Sequence, residues 1–171
     1  RSSSWPEDGK LEWINKRLSE NNIPNARILF LTREDEVFKN GFMIQEFIEG
    51  EIFEKLGKVD EGIYFQFYKD LGLLIKQVHK IELPQYGYIG NGTGNHKNFL
   101  EYISRDIDRF FESNEKLGIK VDIGIEEYKD FVLKGLTSLV NLKPVLNHND
   151  LSPNNVIKEK EGKLVLIDWD N

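Results

Sequence analysis

Several features that identify common protein classes are missing from this chain of 171 residues. It has no cysteine, so disulfide bonds and thiolate metal sites are excluded, and the reducing cytoplasm is the expected location. No apolar run reaches the roughly 18 residues that a membrane-spanning helix needs. The first residues also lack the charged-then-apolar pattern of a signal peptide. We therefore expect a cytoplasmic protein with no membrane partner.

A concentrated positive charge is missing as well. The formal net charge is -6, and lysines are interspersed with acidic residues throughout the chain. Nucleic acid is therefore not an expected partner, because neutralising phosphates requires clustered Lys and Arg. An acidic surface could attract cationic ligands, although simple solubility is the favoured explanation for a charge of this size. The hydrophobic content of 39% is sufficient for a globular core.

The spacing of apolar residues divides the chain into segments. Helical spacing predicts a first helix over residues 7 to 21 and three longer helices over 61 to 81, 97 to 116 and 126 to 141. β-rich runs at 27 to 32 and 41 to 48 predict an antiparallel pair joined by a charged turn. A last hairpin is predicted from residues 156 to 158 and 164 to 168.

The segment with the clearest chemistry is His148-Asn-Asp-Leu-Ser-Pro-Asn-Asn155, followed by the strand-like run that ends at Asp168. A carboxylate and a carboxamide five residues apart on a tight loop can converge on one point, and the hairpin brings a second carboxylate there. The alternative is an ordinary polar hairpin with an Asx-turn.

This arrangement resembles the catalytic loop of the kinase superfamily, in which a metal-binding Asp follows the loop Asn by 13 residues, as here. The resemblance implies that Asp150 accepts the proton of the attacking hydroxyl and that Asn155 and Asp168 hold Mg²⁺ on the nucleotide phosphates. His148 would support the loop from behind. Asp170 would either reach a second metal ion or cap the next segment.

Protein kinases usually carry Lys or Arg two residues after the catalytic Asp, and Phe-Gly after the metal Asp. This chain has Ser152 and Trp169-Asp170 instead, which resembles the aminoglycoside phosphotransferase and choline kinase family. The resemblance implies an α+β, protein-kinase-like fold, with part of the small N-lobe in residues 1 to 49 and part of the helical C-lobe in 50 to 171.

The same resemblance implies an enzyme that transfers the γ-phosphate of ATP or GTP to a small-molecule hydroxyl, with an aminoglycoside as the first expectation for the acceptor. A protein kinase and a catalytically degenerate binding module are the alternatives.

Two upstream segments are interpreted through the family. Residues 43 to 50 resemble its hinge, which places the carbonyl of Glu46 and the amide of Ile48 at the adenine edge, although an ordinary strand ending in a glycine turn fits too. Glu7 is the candidate partner of the family's phosphate-gripping Lys, with a surface Glu at a helix start as the alternative.

The family's glycine-rich phosphate loop and strand Lys would precede residue 7, and further helices would follow residue 171. We therefore expect a piece truncated at both ends, with little or no activity alone.

Overall fold

The computed structural model describes residues 9–38, 41–53, 60–90, 92–139 and 141–169. These residues form helices and antiparallel strands, which confirms the α+β class and is compatible with part of a protein-kinase-like fold. The order is α1 (Lys10–Glu20), β1 (Ile28–Thr32), β2 (Phe42–Gln45), β3 (Gly50–Ile52), α2 (Glu61–Val78), α3 (Phe99–Lys116), α4 (Ile125–Gly135), β4 (Val156–Glu159) and β5 (Leu164–Leu166). No helix in this described part of the chain is both long and apolar enough to cross a bilayer.

The chain divides into two compact units. The first comprises residues 1–81, 90–92 and 145–171, and the second comprises 82–89 and 93–144. These boundaries differ from the predicted division at residue 49, which concerns the lobes of the family fold and stays a prediction. The predicted catalytic segment belongs to the first unit.

Helix α1 is amphipathic and buries the side chains of Leu11, Ile14 and Leu18. Asn15, at the edge of this buried face, attaches the helix to the chain that enters β1. Its amide nitrogen donates to the carbonyl of Ala26 at 2.8 Å, and its oxygen accepts from the amide of Ile28 at 3.0 Å. The Asn15 side chain thus satisfies two backbone groups where β1 begins, and it fixes α1 against this strand.

Strands β1 and β2 pair antiparallel, as predicted from the two β-rich runs. Side chains of the turn between them hydrogen-bond to the backbone of the same turn. Thr32 Oγ1 hydrogen-bonds to the carbonyl of Glu34 at 2.5 Å, and Asp35 accepts the amides of Val37 and Phe38 at 2.8 and 2.9 Å. Short polar side chains that bond the backbone in this way stabilise a defined turn.

A second sheet has the order β3-β4-β5, with antiparallel pairing throughout. The hairpin β4–β5 was predicted, but β3 was not, and Gly50 begins this strand instead of ending the preceding one. The reason is a close approach of two backbones: a Cβ added at Gly50 would lie 2.5 Å from the carbonyl oxygen of Lys158. Only glycine permits this spacing.

Helix α2 begins at the N-cap Asp60, whose side chain accepts the amide of Ile63 at 3.1 Å. Its buried face, formed by Phe67, Leu71, Leu74 and Val78, faces the core of the first unit. The helix ends at Val78, three residues earlier than predicted, because Lys80 and Ile81 turn back to hydrogen-bond within the last turn.

In the second unit α3 packs against α4, and Lys129 of α4 pairs with Asp108 of α3 at 2.5 Å. Helix α4 is shorter than predicted. It ends at Gly135 and continues as a 3₁₀ turn over Thr137–Leu139, in which Thr137 Oγ1 donates to the carbonyl of Lys134 at 3.0 Å.

Candidate active site

The predicted catalytic loop is held at both ends by the core of the first unit. Leu146, before the loop, is fully buried, and its amide donates to the carbonyl of Ile81 at 2.8 Å. After the loop, Pro153 begins a 3₁₀ turn over Pro153–Asn155 that leads directly into β4. Asn149 has a positive φ of 67°, a conformation that Asn tolerates better than most residues, so the chain turns sharply before Asp150.

Asp150 and Asn155 are in direct contact. The amide nitrogen of Asn155 donates to the backbone carbonyl of Asp150 at 2.8 Å and to its carboxylate Oδ2 at 3.1 Å. Asn155 is 8% exposed, whereas Asp150 lies at the surface. The carboxamide therefore fixes the carboxylate in an orientation where a ligand can reach it.

The β4–β5 hairpin brings Asp168 to the same loop. Its register pairs Val156 with Leu166, and the amide of the next residue, Ile167, donates to the carbonyl of Asn155 at 3.0 Å. Asp168 follows at once, exposed and with a φ of 66°. An Asp with positive φ is uncommon outside tight turns and functional sites, where the surrounding structure must hold it.

His148, at the start of the loop, is 2% exposed. Its Nε2 bonds the carbonyl of Ile167 at 2.8 Å, and because a carbonyl only accepts, this nitrogen carries the proton. The ring packs on Trp169 with centroids 4.4 Å apart. His148 thus links the start of the loop to the residues that flank Asp168.

The pKa of His148 is lowered, chiefly because burial disfavours the charged imidazolium. The Ile167 carbonyl and the charge of Asp150 act in the opposite direction, while the charge of Lys10 reinforces the lowering. The ring is therefore suited to a neutral, structural role.

The donor atoms fit a magnesium ion. Asn155 directs its amide nitrogen toward Asp150, so its side-chain oxygen would be the group that coordinates the ion, and the carboxylate of Asp168 would be the second oxygen donor. Mg²⁺ prefers such hard oxygen ligands, takes few from the protein and keeps waters and phosphates. Among the described residues, no group of three or more His, Cys, Asp or Glu side chains could hold a metal ion.

The predicted hinge follows β2. The amide of Glu46 donates to the carbonyl of Arg27 at 2.8 Å, and the Arg27 guanidinium forms two bonds with the Glu46 carboxylate, of 2.9 and 2.6 Å. The guanidinium hydrogen bond lowers the pKa of the Glu46 carboxyl. The two groups predicted to meet adenine, the carbonyl of Glu46 and the amide of Ile48, form no hydrogen bond to another described residue.

The comparison with protein families agrees with this geometry. Residues 8–171 match the family described as the phosphotransferase enzyme family. The chain belongs to this family. The match confirms the resemblance that the catalytic-loop sequence indicated, and it extends over the predicted hinge segment, the middle helices and the final hairpin. No curated protein and no solved structure gives a significant match.

Two residues that a phosphotransferase site could use were not identified from the sequence. Lys10 is 4% exposed and lies close enough to His148 to influence its pKa. Glu12 has a buried carboxylate oxygen, Oε2, without a hydrogen-bond partner among the described residues. Neither fact has a signal in the local sequence, because both depend on where α1 lies. Glu7 and Asp170, which were predicted, are outside the described residues.

Proposed function

We propose that this phosphotransferase is a kinase that transfers the γ-phosphate of ATP or GTP to a hydroxyl group of a small molecule in the cytoplasm. The observation that carries the proposal is that Asn155 contacts both Asp150, on the loop before β4, and the residue next to Asp168, just after β5. Asn155 contacts the carboxylate of Asp150 through its side chain and the residue before Asp168 through its backbone.

Asp150 acts as the general base. Its surface position allows an acceptor hydroxyl to approach, and the bond from Asn155 leaves the carboxylate in one orientation. As the acceptor oxygen forms its bond to the γ-phosphorus, its proton passes to Asp150. The bond between that phosphorus and the bridging oxygen breaks, and the nucleoside diphosphate leaves with the electron pair.

Asn155 and Asp168 would hold the magnesium ion that accompanies the nucleotide. When bound, the ion neutralises charge on the phosphate oxygens during transfer. Glu46 and Ile48 bind the adenine through the backbone groups that make no hydrogen bond to the described residues. Glu12 of α1 and Glu7, the carboxylate predicted from the sequence, are the candidate partners of a phosphate-gripping lysine, and Asp170 is a candidate for a second metal ion.

The acceptor that we propose first is an aminoglycoside, and choline, ethanolamine, thiamine and a sugar come next. A net charge of -6 favours a cationic acceptor. Ser152, at the position where protein kinases usually carry a basic residue, favours a small molecule over a protein substrate. Retention of Asp150, Asn155 and Asp168 favours catalysis over a degenerate binding module.

The test is nucleotide turnover by the full-length gene product with Mg²⁺, screened against aminoglycosides, choline, thiamine and small sugars. Asp150→Asn should lower kcat by about 10²- to 10⁴-fold, the usual contribution of a positioned base, and leave nucleotide affinity near the wild-type value. Asp168→Asn should lower turnover and also weaken the binding of Mg²⁺-nucleotide.

Asp130→Asn is the matched control, because Asp130 is an exposed residue of α4 that pairs only weakly with its neighbour Lys134 on the helix surface. It should behave as wild type. Acceptor-dependent turnover that survives in Asp150→Asn at the wild-type rate would contradict the assigned base, and the absence of turnover with every acceptor would contradict the small-molecule kinase.

A further inference from the structure

Glu12 and Arg33 form an ion pair between α1 and the turn after β1. One guanidinium nitrogen of Arg33 lies 2.5 Å from Glu12 Oε1. The two side chains are 40% and 39% exposed, so this pair by itself should contribute little to stability. Its significance lies in what it does to the orientation of the Glu12 carboxylate.

The second oxygen of that carboxylate is in a different environment. Oε2 is buried and makes no hydrogen bond to a described residue. A desolvated carboxylate oxygen without a partner is unfavourable and uncommon, and a bound cation would offset the cost. Because Arg33 holds Oε1, the carboxylate cannot rotate to expose Oε2 to water without breaking the ion pair.

The turn that carries Arg33 is rigid enough to hold Glu12 in place. The side-chain bonds of Thr32 and Asp35 fix the turn on both sides of Arg33. Gly41, with a φ of +71°, packs so closely that an added Cβ would lie 2.8 Å from the Cα of Arg33. The backbone of Arg33 is therefore enclosed, so the position of its Cα atom is restrained.

We propose that Arg33 is a positioning residue: it holds Glu12 so that Oε2 receives the ammonium group of a lysine that binds the nucleotide phosphates. This inference rests on the proposed function, and it assigns the helix carboxylate to Glu12. Arg33 touches neither nucleotide nor acceptor in this arrangement. It acts through Glu12, as a residue that orients a catalytic group usually does.

The experiment is a double-mutant cycle in the full-length gene product with Arg33→Gln, Glu12→Gln and the double variant. Each single variant should raise the KM for Mg²⁺-nucleotide or lower kcat, by about threefold to tenfold for Arg33→Gln and more for Glu12→Gln. The double variant should be no worse than Glu12→Gln, because Arg33 has nothing left to position. The KM for the acceptor should change little.

Arg33→Lys and Arg109→Gln are the controls. Lysine keeps the charge but loses the planar fork, so it should restore activity in part. Arg109 is another exposed arginine in an ion pair, with Asp106 of α3, and Arg109→Gln should leave kinetics unchanged.

Additive losses in the double variant would show that Arg33 acts independently of Glu12 and would overturn the inference, as would wild-type kinetics in Arg33→Gln. Either result leaves the proposed kinase activity intact. A wild-type protein that neither binds Mg²⁺-nucleotide nor transfers phosphate would instead overturn the proposed function together with this inference.

Discussion

The final hairpin and the α3–α4 pair use apolar residues in different ways. Around the predicted catalytic loop, Leu146, Val156 and Leu166 are fully buried, and even the polar His148 and Asn155 are enclosed. In α3 only Ile107 is buried, and no described side chain of α4 is. Phe110 and Phe131 remain 53% and 77% exposed.

This difference shows that helical spacing of apolar residues does not guarantee that the apolar face of the helix is buried. Both α3 and α4 show the apolar spacing that predicts an amphipathic helix, yet each mainly contacts the other. The segment with weaker periodicity, from residue 146 to 169, is the better packed. There the polar residues that carry the proposed chemistry are held by a core that surrounds them, which is what a preorganised site requires.

Removing one large apolar side chain from each region should give the largest difference. Leu166→Ala deletes a fully buried side chain on β5, an edge strand of the three-stranded sheet, and should lower the free energy of unfolding by about 2 to 5 kcal/mol. Phe131→Ala, at a mostly exposed position of α4, should cost less than about 0.5 kcal/mol. Urea unfolding of both variants measures this, and equal losses would remove the distinction between the two regions.

A smaller effect should come from the close approach at Gly50. Gly50→Ala would place a methyl group 2.5 Å from the Lys158 carbonyl, so β3 must move away from β4, at a cost of about 1 to 3 kcal/mol. Gly72→Ala is the matched control. An added Cβ there meets nothing within 4 Å in the middle of α2, and helix propensity should stabilise that variant by about 0.5 to 1 kcal/mol. A neutral Gly50→Ala variant would mean that β3 does not hold the β4–β5 hairpin closely.

The features that were predicted from the sequence are those that depend on residues close together in the chain. The first antiparallel pair and the final hairpin lie where the β-rich runs placed them, and every predicted helix is present. The contact between Asp150 and Asn155 follows from a five-residue spacing on one loop, and the hairpin that brings Asp168 close is also local.

Long-range contacts were not predictable in this way. Strand β3 has three residues, and its partner lies more than a hundred residues later, so that no local pattern marks it. The buried oxygen of Glu12 depends on the position of α1 beside the turn at Arg33, and the burial of Lys10 depends on the same helix. Helix ends differ from prediction where hydrogen bonds in the last turn or a glycine decide them, as at Gly135.

The smallest expected effect is the contribution of the buried His148 to the pH dependence of the free energy of unfolding. Because burial lowers its pKa in the folded protein, the unfolded chain binds more protons than the folded one once the pH falls below about 6.5. The contribution of neutral His148 to stability is therefore complete above that pH and is lost as the pH falls toward the folded-state pKa. Asp150 opposes the shift and Lys10 adds to it, so both charges belong to this balance.

His148→Gln can still donate a hydrogen bond to the Ile167 carbonyl but does not titrate. It should be less stable than wild type at pH 7.5, and it should lose less additional stability than wild type between pH 7.5 and 5.5. Urea unfolding at both pH values measures the two slopes. His79→Gln, at the exposed C-cap of α2, controls for removing an imidazole from the surface. Parallel slopes in wild type and His148→Gln would mean that water reaches the ring, and that the catalytic loop is packed no more tightly than the α3–α4 pair.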